Sequence, residues 1–438
     1  MAAGTWTTQN KVRPGVYINF ESVPKPLGTV GDRGIVTMAL PLSWGEAKKI
    51  ITIEAGEDPF DKLGYDLASS QLLLIREALK RAKTLLLYRL NTGIKATATI
   101  DNLTVIAKYG GVRGNDLSIV IQTNVDDPAK FDVKTLLDGK EMDVQTVATI
   151  EELQDNKWVD FSGTGALSVT AGVSLTGGAD GEVTNQDHMD YLAAIEVQDF
   201  NTMALTSDDP TLKSLYVSFV KRMREDEGKK IQVVMPNYPD ADYEGVISVK
   251  NGVILSDGTV IDATKAVAWV AGATAGAEMN ESLTYMAYDD AVDVDIRYTN
   301  TQIIEALNNG EFIFTPSDGK AIVEQDINTL TSFTPTKGKQ FRKNRVIRVL
   351  DGIAVDFKRI FENYYIGKVN NNEDGRNLFK NECINYLTTL QNIAAIQNFD
   401  SQTDITVQQG SESDSVVVEL YVQPVDSVEK LYFTIKIR

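Results

Sequence analysis

Cysteine and histidine are nearly missing: 438 residues supply one of each, Cys383 and His188. A single cysteine excludes an intramolecular disulfide and a cysteine-based zinc cluster. That fits a reducing compartment, or a protein indifferent to redox state. A single histidine excludes a histidine pair on a metal, and a serine nucleophile would have only that residue or a lysine as its base. His188 follows Gln186 and Asp187 at a polar helix start, so a surface position is expected for it. Long apolar runs are absent too. No stretch approaches the ~18 uninterrupted apolar residues of a membrane span. Met1 to Lys11 is small and polar, without the apolar run of a signal peptide. Positive charge is scarce, with 43 Lys and Arg against 61 Asp and Glu and a net charge of −18. Nucleic acid and anionic membrane are therefore poor partners. The chain is expected to be made and kept in the cytoplasm unless lysis releases it.

Catalytic and ligand motifs are equally thin. There is no G-x-S-x-G elbow, no phosphate-binding G-x-x-x-x-G-K-[ST] loop, and no G-x-G-x-x-G after a strand. Two glycine clusters, Gly110–Gly114 and Gly177–Gly181, lie among strand-like runs with no helix following at the right spacing, so they read as tight turns. Asp289, Asp290, Asp293 and Asp295 lack the glycine and terminal glutamate of a calcium loop and read as a solvated face. Cys383 falls on the apolar side of its helix, near Phe379 and Leu387, as a small core residue. No cofactor is implied.

What is present is alternation. Length suggests about three domains. Ile35–Leu40 and the apolar run Leu85–Leu90 read as strands, with a helix over Ser69–Lys83 between them. From 94 to 182 short strand-like runs dominate: Ala96–Ile100, Leu103–Lys108, Leu117–Gln122, Met142–Ile150 and Leu167–Leu175. Turn signals separate them, which suggests a β-sandwich or barrel. Strand and helix then alternate: a helix over Asn185–Ile195, a strand Thr202–Thr206, a helix opened by Pro210 and closed by Gly228, a strand Ile231–Met235, a helix capped by Asp262, and a helix over Thr301–Leu307. Asn251–Gly252 and Asp257–Gly258 favour hairpins. Such alternation implies a mainly parallel sheet covered on both faces. Near the end come helices over 353–366 and 376–397, broken at Asn370–Asn372, and strands Val416–Val422 and Leu431–Ile437.

Three stretches invite partners. Leu431, Phe433, Ile435 and Ile437 alternate with polar or amphipathic residues, the pattern of a half-buried strand in want of an edge. Val16, Ile18 and Phe20 alternate likewise with Tyr17 and Asn19. Lys337, Lys339, Arg342, Lys343, Arg345 and Arg348 concentrate cations in a very acidic chain. They form either an exposed hairpin or strand, or a patch for an acidic protein surface.

Residues 422–432, 320–330, 343–351, 13–17 and 177–181 resemble the corresponding segments of contractile phage tail sheath proteins. The resemblance spans nearly the whole chain and lies with the short sheaths of phages, prophages and phage-tail-like bacteriocins of Gram-positive bacteria. It implies a non-catalytic α/β body of subtilisin-like topology, a β-sandwich domain, an α+β C-terminal domain and extended terminal arms. The matching division is an N-terminal arm at 1–20, body at 21–93 and 183–325, sandwich at 94–182, a C-terminal sheath domain at 326–422 and an arm strand at 423–438. It further implies stacked hexameric rings around a tail tube, and contraction that drives the tube through an envelope. Val16, Tyr17, Ile18, Phe20, Leu431, Phe433, Ile435 and Ile437 would form inter-subunit strands. The six cations and the 376–397 helix are candidates for the tube. Partners would be the protein itself, the tube, the baseplate and the tail terminator, with neither nucleic acid nor membrane insertion. Assembly in the host cytoplasm would precede release in a virion or tail-like particle. An α/β hydrolase and a surface adhesin remain alternatives, the first weakened by the lone histidine, the second by the missing signal peptide.

Overall fold

Leu85–Leu90 lies near one edge of the main sheet. In a computed structural model of the chain, Thr84–Arg89 is a strand with five residues buried. Runs buried on both faces belong in parallel sheets under helices on either side. The sheet has seven strands in the spatial order Glu311–Phe312, Val246–Val249, Gln232–Pro236, Thr202–Ala204, Ile35–Leu40, Thr84–Arg89 and Ile50–Glu54. Neighbours are parallel except the last, where Ile50–Glu54 runs antiparallel to Thr84–Arg89. Alternate side chains feed two cores. Val36, Met38 and Val234 face the helices Leu73–Leu79 and Ala263–Gly276. Ala39, Val233 and Met235 face Asn185–Ile195 and Pro210–Glu225.

The structure describes residues 2–4, 15–17, 31 and 33–437, with the backbone alone for 2–4 and 15–17. The chain divides into two compact units, one of Met1–Gly31 with Asp356–Gln423 and the other of Asp32–Val355 with Pro424–Arg438.

The β-rich stretch forms two antiparallel sheets. One orders Lys140–Val147, Phe131–Leu137, Leu117–Thr123 and Thr170–Ser174, the other Val159–Gly163, Leu103–Gly110 and Lys95–Ile100. Their inner faces share a core including Val105, Ile119, Ile121, Val133 and Val159. Two strands, Phe131–Leu137 and Val159–Gly163, are absent from the sequence reading although Phe131, Val133, Val159 and Phe161 alternate with Asp132, Lys134, Asp160 and Ser162 in the strand period. Both glycine clusters sit where this sandwich meets the body. Gly111 has φ +139°, and a Cβ there would come within 2.0 Å of the Ser43 carbonyl oxygen. Asp180 accepts from Ser43 Oγ at 3.0 Å and from the Val112 amide at 2.8 Å. Beside them the buried Arg89 donates to the Gly45 and Gly110 carbonyls. The clusters are a joint built by close backbone approach.

In the other unit, helix Glu373–Asn392 is capped by Asn372, whose side chain accepts from the Gly375 amide at 2.9 Å. Phe379 packs against Phe361 and Tyr365 with centroids 5.3 and 4.9 Å apart. Cys383 is buried there, and burial pushes its thiol pKa up to about 12. Asp356 accepts from Tyr386 Oη at 2.7 Å and from the Gly31 amide at 3.1 Å. A hairpin of Ile405–Gln409 and Val416–Leu420 completes the unit.

Several expectations need correction. His188 is buried, not on the surface: Nδ1 lies 2.9 Å from Tyr216 Oη, and burial lowers its pKa. The polar flanks misled, because His188 is on the inward side of its helix with Tyr191 and Leu192. The Ser69–Lys83 helix is shorter, a 3₁₀ turn Ser70–Leu72 leading into Leu73–Leu79. Asn251–Gly252 is no hairpin turn. Asn251 is buried and bonds both backbone groups of Phe314, carrying the chain from one sheet to another. The helix expected from 353 begins at Asn344, and the one expected to reach 397 ends at Asn392. The acidic cluster is split among partners. Asp289 pairs with Arg81, Asp293 with Arg297, and Asp295 accepts from the Gly252 amide.

Candidate functional site: the chain ends and the basic stretch

Residues 424–437 change character midway. Up to Glu429 the segment is docked on the larger unit. The Glu429 carboxylate accepts from Gln325 Nε2 at 2.7 Å and Thr284 Oγ1 at 3.0 Å, and it pairs with Lys343 Nζ. Burial raises its pKa, but the bonds from Lys343, Gln325 and Thr284 outweigh that and hold it below the ordinary value. Beyond Lys430 the chain is bare. Leu431, Phe433, Ile435 and Ile437 are 72–95% exposed, and 431–437 forms no strand with any described residue. The alternation is present in the sequence, and no described residue of this chain supplies the edge it wants. So long a row of exposed large apolar side chains marks a contact surface.

At the other end, Gly15–Tyr17 pairs in parallel with Ala2–Gly4. Val16 and Tyr17 lie in that strand, whereas Ile18 and Phe20 fall outside the described residues. The pair and the Ile405–Gln409/Val416–Leu420 hairpin are both two-stranded. The hairpin packs on helix Glu373–Asn392 with Ile405 fully buried, and its outer edges pair with no described strand.

The basic stretch is neither hairpin nor strand. It is a 3₁₀ turn, Lys339–Arg342, running into helix Asn344–Tyr364. Much of its charge is neutralised at once. Lys337 bonds Glu244 at 2.6 Å, Lys343 bonds Glu429, and Arg348 is 2% exposed with Asp326 at 3.3 Å. Burial lowers the pKa of Arg342, and of Arg345, where Asp426 opposes it. Lys339 remains exposed. Sequence reasoning missed this because the neutralising acids lie up to 93 residues away.

Four family models cover this architecture in order. They are the tail sheath protein Gp18 domain III N-terminal region at 33–90, the phage tail sheath β-sandwich domain at 91–180, the phage tail sheath central domain at 181–329, and the phage tail sheath C-terminal domain at 336–438. A crystal structure of a sheath tail protein from Desulfitobacterium hafniense is 65% identical with TM-score 0.88, covering 97% of this chain and all of that one. The phage-like element PBSX protein XkdK of Bacillus subtilis is 41% identical over the full length of both chains. The helical sheath of the anti-feeding prophage in its contracted state shares the fold at 13% identity and TM-score 0.58, over 97% of this chain and 98% of that one.

A mixed α/β body carrying a β-sandwich, matched throughout by sheath family models, defines a structural protein of the tail sheath class, not an enzyme. The chain belongs to the phage tail sheath protein family and is a structural sheath subunit, so the hydrolase reading falls. No helix among the described residues is long and apolar enough to cross a membrane.

Proposed function

We propose that the chain polymerises as stacked hexameric rings around a tail tube, and that the polymer contracts to drive the tube through a bacterial envelope. The observation carrying this reading is the unpaired, alternating segment Leu431–Ile437. Burying its four large apolar side chains contributes roughly 1.5–3 kcal/mol each, and strand pairing adds backbone hydrogen bonds and register. The hairpin Ile405–Gln409/Val416–Leu420 of a neighbouring molecule is the acceptor, since its outer edges are unpaired among the described residues. Val16, Tyr17, Ile18 and Phe20 form the N-terminal counterpart. Backbone strands that cross between molecules keep the polymer connected while the bodies rotate.

The finer architecture belongs to the same reading. The body takes subtilisin-like topology without its chemistry, divided at 21–93 and 183–325 around the sandwich at 94–182, with arms at 1–20 and 423–438 and a C-terminal sheath domain at 326–422. Lys339 leads the tube-facing candidates, being exposed. Lys337, Arg342, Lys343 and Arg345 follow, and Arg348 would have to leave Asp326 to take part. The baseplate and tail terminator close the polymer at its two ends. Assembly takes place in the host cytoplasm and the product leaves in a virion or tail-like particle.

Deletion of residues 430–438 tests the reading. It should leave folded, soluble monomers in sedimentation velocity and no striated tubes or hollow cylinders in negative stain. Normal sheaths from the truncated chain would overturn it.

A further inference from the structure

We propose that Glu429 is a positioning residue, a pin that fixes where and in which register the C-terminal arm leaves its own subunit. The proposal rests on the reading of 431–437 as an inter-subunit strand.

Glu429 points inward between two outward neighbours. Val428 before it is 91% exposed and Lys430 after it is exposed, while the Glu429 side chain is 12% exposed. A carboxylate is withdrawn from water only where bonds replace hydration, and here they come from three separate stretches. Thr284 lies in the loop before Ala287, Gln325 just follows strand Lys320–Val323, and Lys343 immediately precedes helix Asn344–Tyr364. The same stretches are knotted beneath the pin by Asp326. It accepts from Asn344 Nδ2 at 2.9 Å and the Leu283 amide at 3.1 Å, and it pairs with Arg348. The pin is therefore set in a rigid seat.

Phase supplies the rest. In an extended chain, side chains two residues apart share a face. Glu429 has the parity of Leu431, Phe433, Ile435 and Ile437, so seating its carboxylate also sets the phase of the apolar face that follows. A slip of one residue would present Tyr432, Thr434 and Lys436 to the acceptor instead. Eight residues, 430–437, then reach about 26 Å from the seat at ~3.3 Å per residue.

The test compares wild-type chain, E429Q, K343E and the swapped pair E429K/K343E. Trypsin cleavage after Lys430 reports the pin, and cleavage after Lys436, in the bare part of the arm, is the internal control. Negative-stain imaging reports assembly. With the pin broken, cleavage after Lys430 should rise at least tenfold against Lys436, and regular sheaths should fall at least tenfold at unchanged circular dichroism. The swapped pair should recover a large part of the regular sheaths; its cleavage is not compared, because E429K adds a trypsin site beside Lys430. Unchanged cleavage in E429Q overturns the pin, as does faster cleavage with normal sheaths. If E429Q does not fold, failure of the swapped pair to recover regular sheaths overturns it. Failure of the arm reading itself is seen separately, as sheath formation by the 430–438 deletion.

Discussion

Asp326 sits at the middle of the body's C-terminal knot. It is 1% exposed and bonds Arg348, Asn344 and the Leu283 amide. Removing one partner of a buried ion pair strands the other charge, which costs about 3–5 kcal/mol. Asp326→Ala should therefore lower unfolding stability by about that much in urea titration, with Asp326→Asn costing less because its one amide oxygen can still accept on one side, from Asn344 or from the Leu283 amide and Arg348. A loss below about 1 kcal/mol would contradict this role. Composition gave no warning of the pairing. The six cations of 337–348 stood out as a patch because their acids, Glu244, Asp326 and Glu429, are scattered through the chain. His188 misled for a related reason: one polar turn on either side hid an inward-facing ring on Tyr216.

Among the elements, helix Ala263–Gly276 is the most demanding. Its residues 266–275 are all buried, as suits a helix apolar all round. Gly272 and Gly276 lie one turn apart against the helix Leu73–Leu79 and the turn after it. A Cβ on Gly272 would meet the Ala78 carbonyl oxygen at 2.2 Å, and one on Gly276 the Arg81 carbonyl oxygen at 2.0 Å. Gly272→Val should push these elements apart and cost about 1–3 kcal/mol or more, seen as a lowered thermal midpoint, whereas Thr264→Val on the partly exposed first turn should change little. An unchanged midpoint for Gly272→Val would refute the close approach. The helix and its Asp262 cap were legible from sequence. The glycine contact was not, since it depends on which helix lies opposite. Strong periodicity also revealed Asn185–Ile195 and Pro210–Glu225, whereas Phe131–Leu137 and Val159–Gly163 were passed over although both alternate apolar and polar residues.

For the whole molecule, the order of elements was readable because strand–helix alternation and the short-strand stretch differ in period. The parallel sheet and the sandwich both follow from that difference. The site was legible only as a pattern: the sequence marked Leu431–Ile437 as a strand, and the structure shows that no described strand of the same chain receives it. On the proposed reading another molecule supplies that edge, and the Lys343–Glu429 bond joins two parts of the pattern that looked unrelated. The most direct test is a cryo-electron microscopy structure of the assembled polymer at side-chain resolution. The account predicts 431–437 as an added strand on a neighbouring molecule, with Leu431, Phe433, Ile435 and Ile437 facing inward together. Density that leaves these residues exposed, folds them back on their own chain, or turns Tyr432 and Thr434 inward would contradict it.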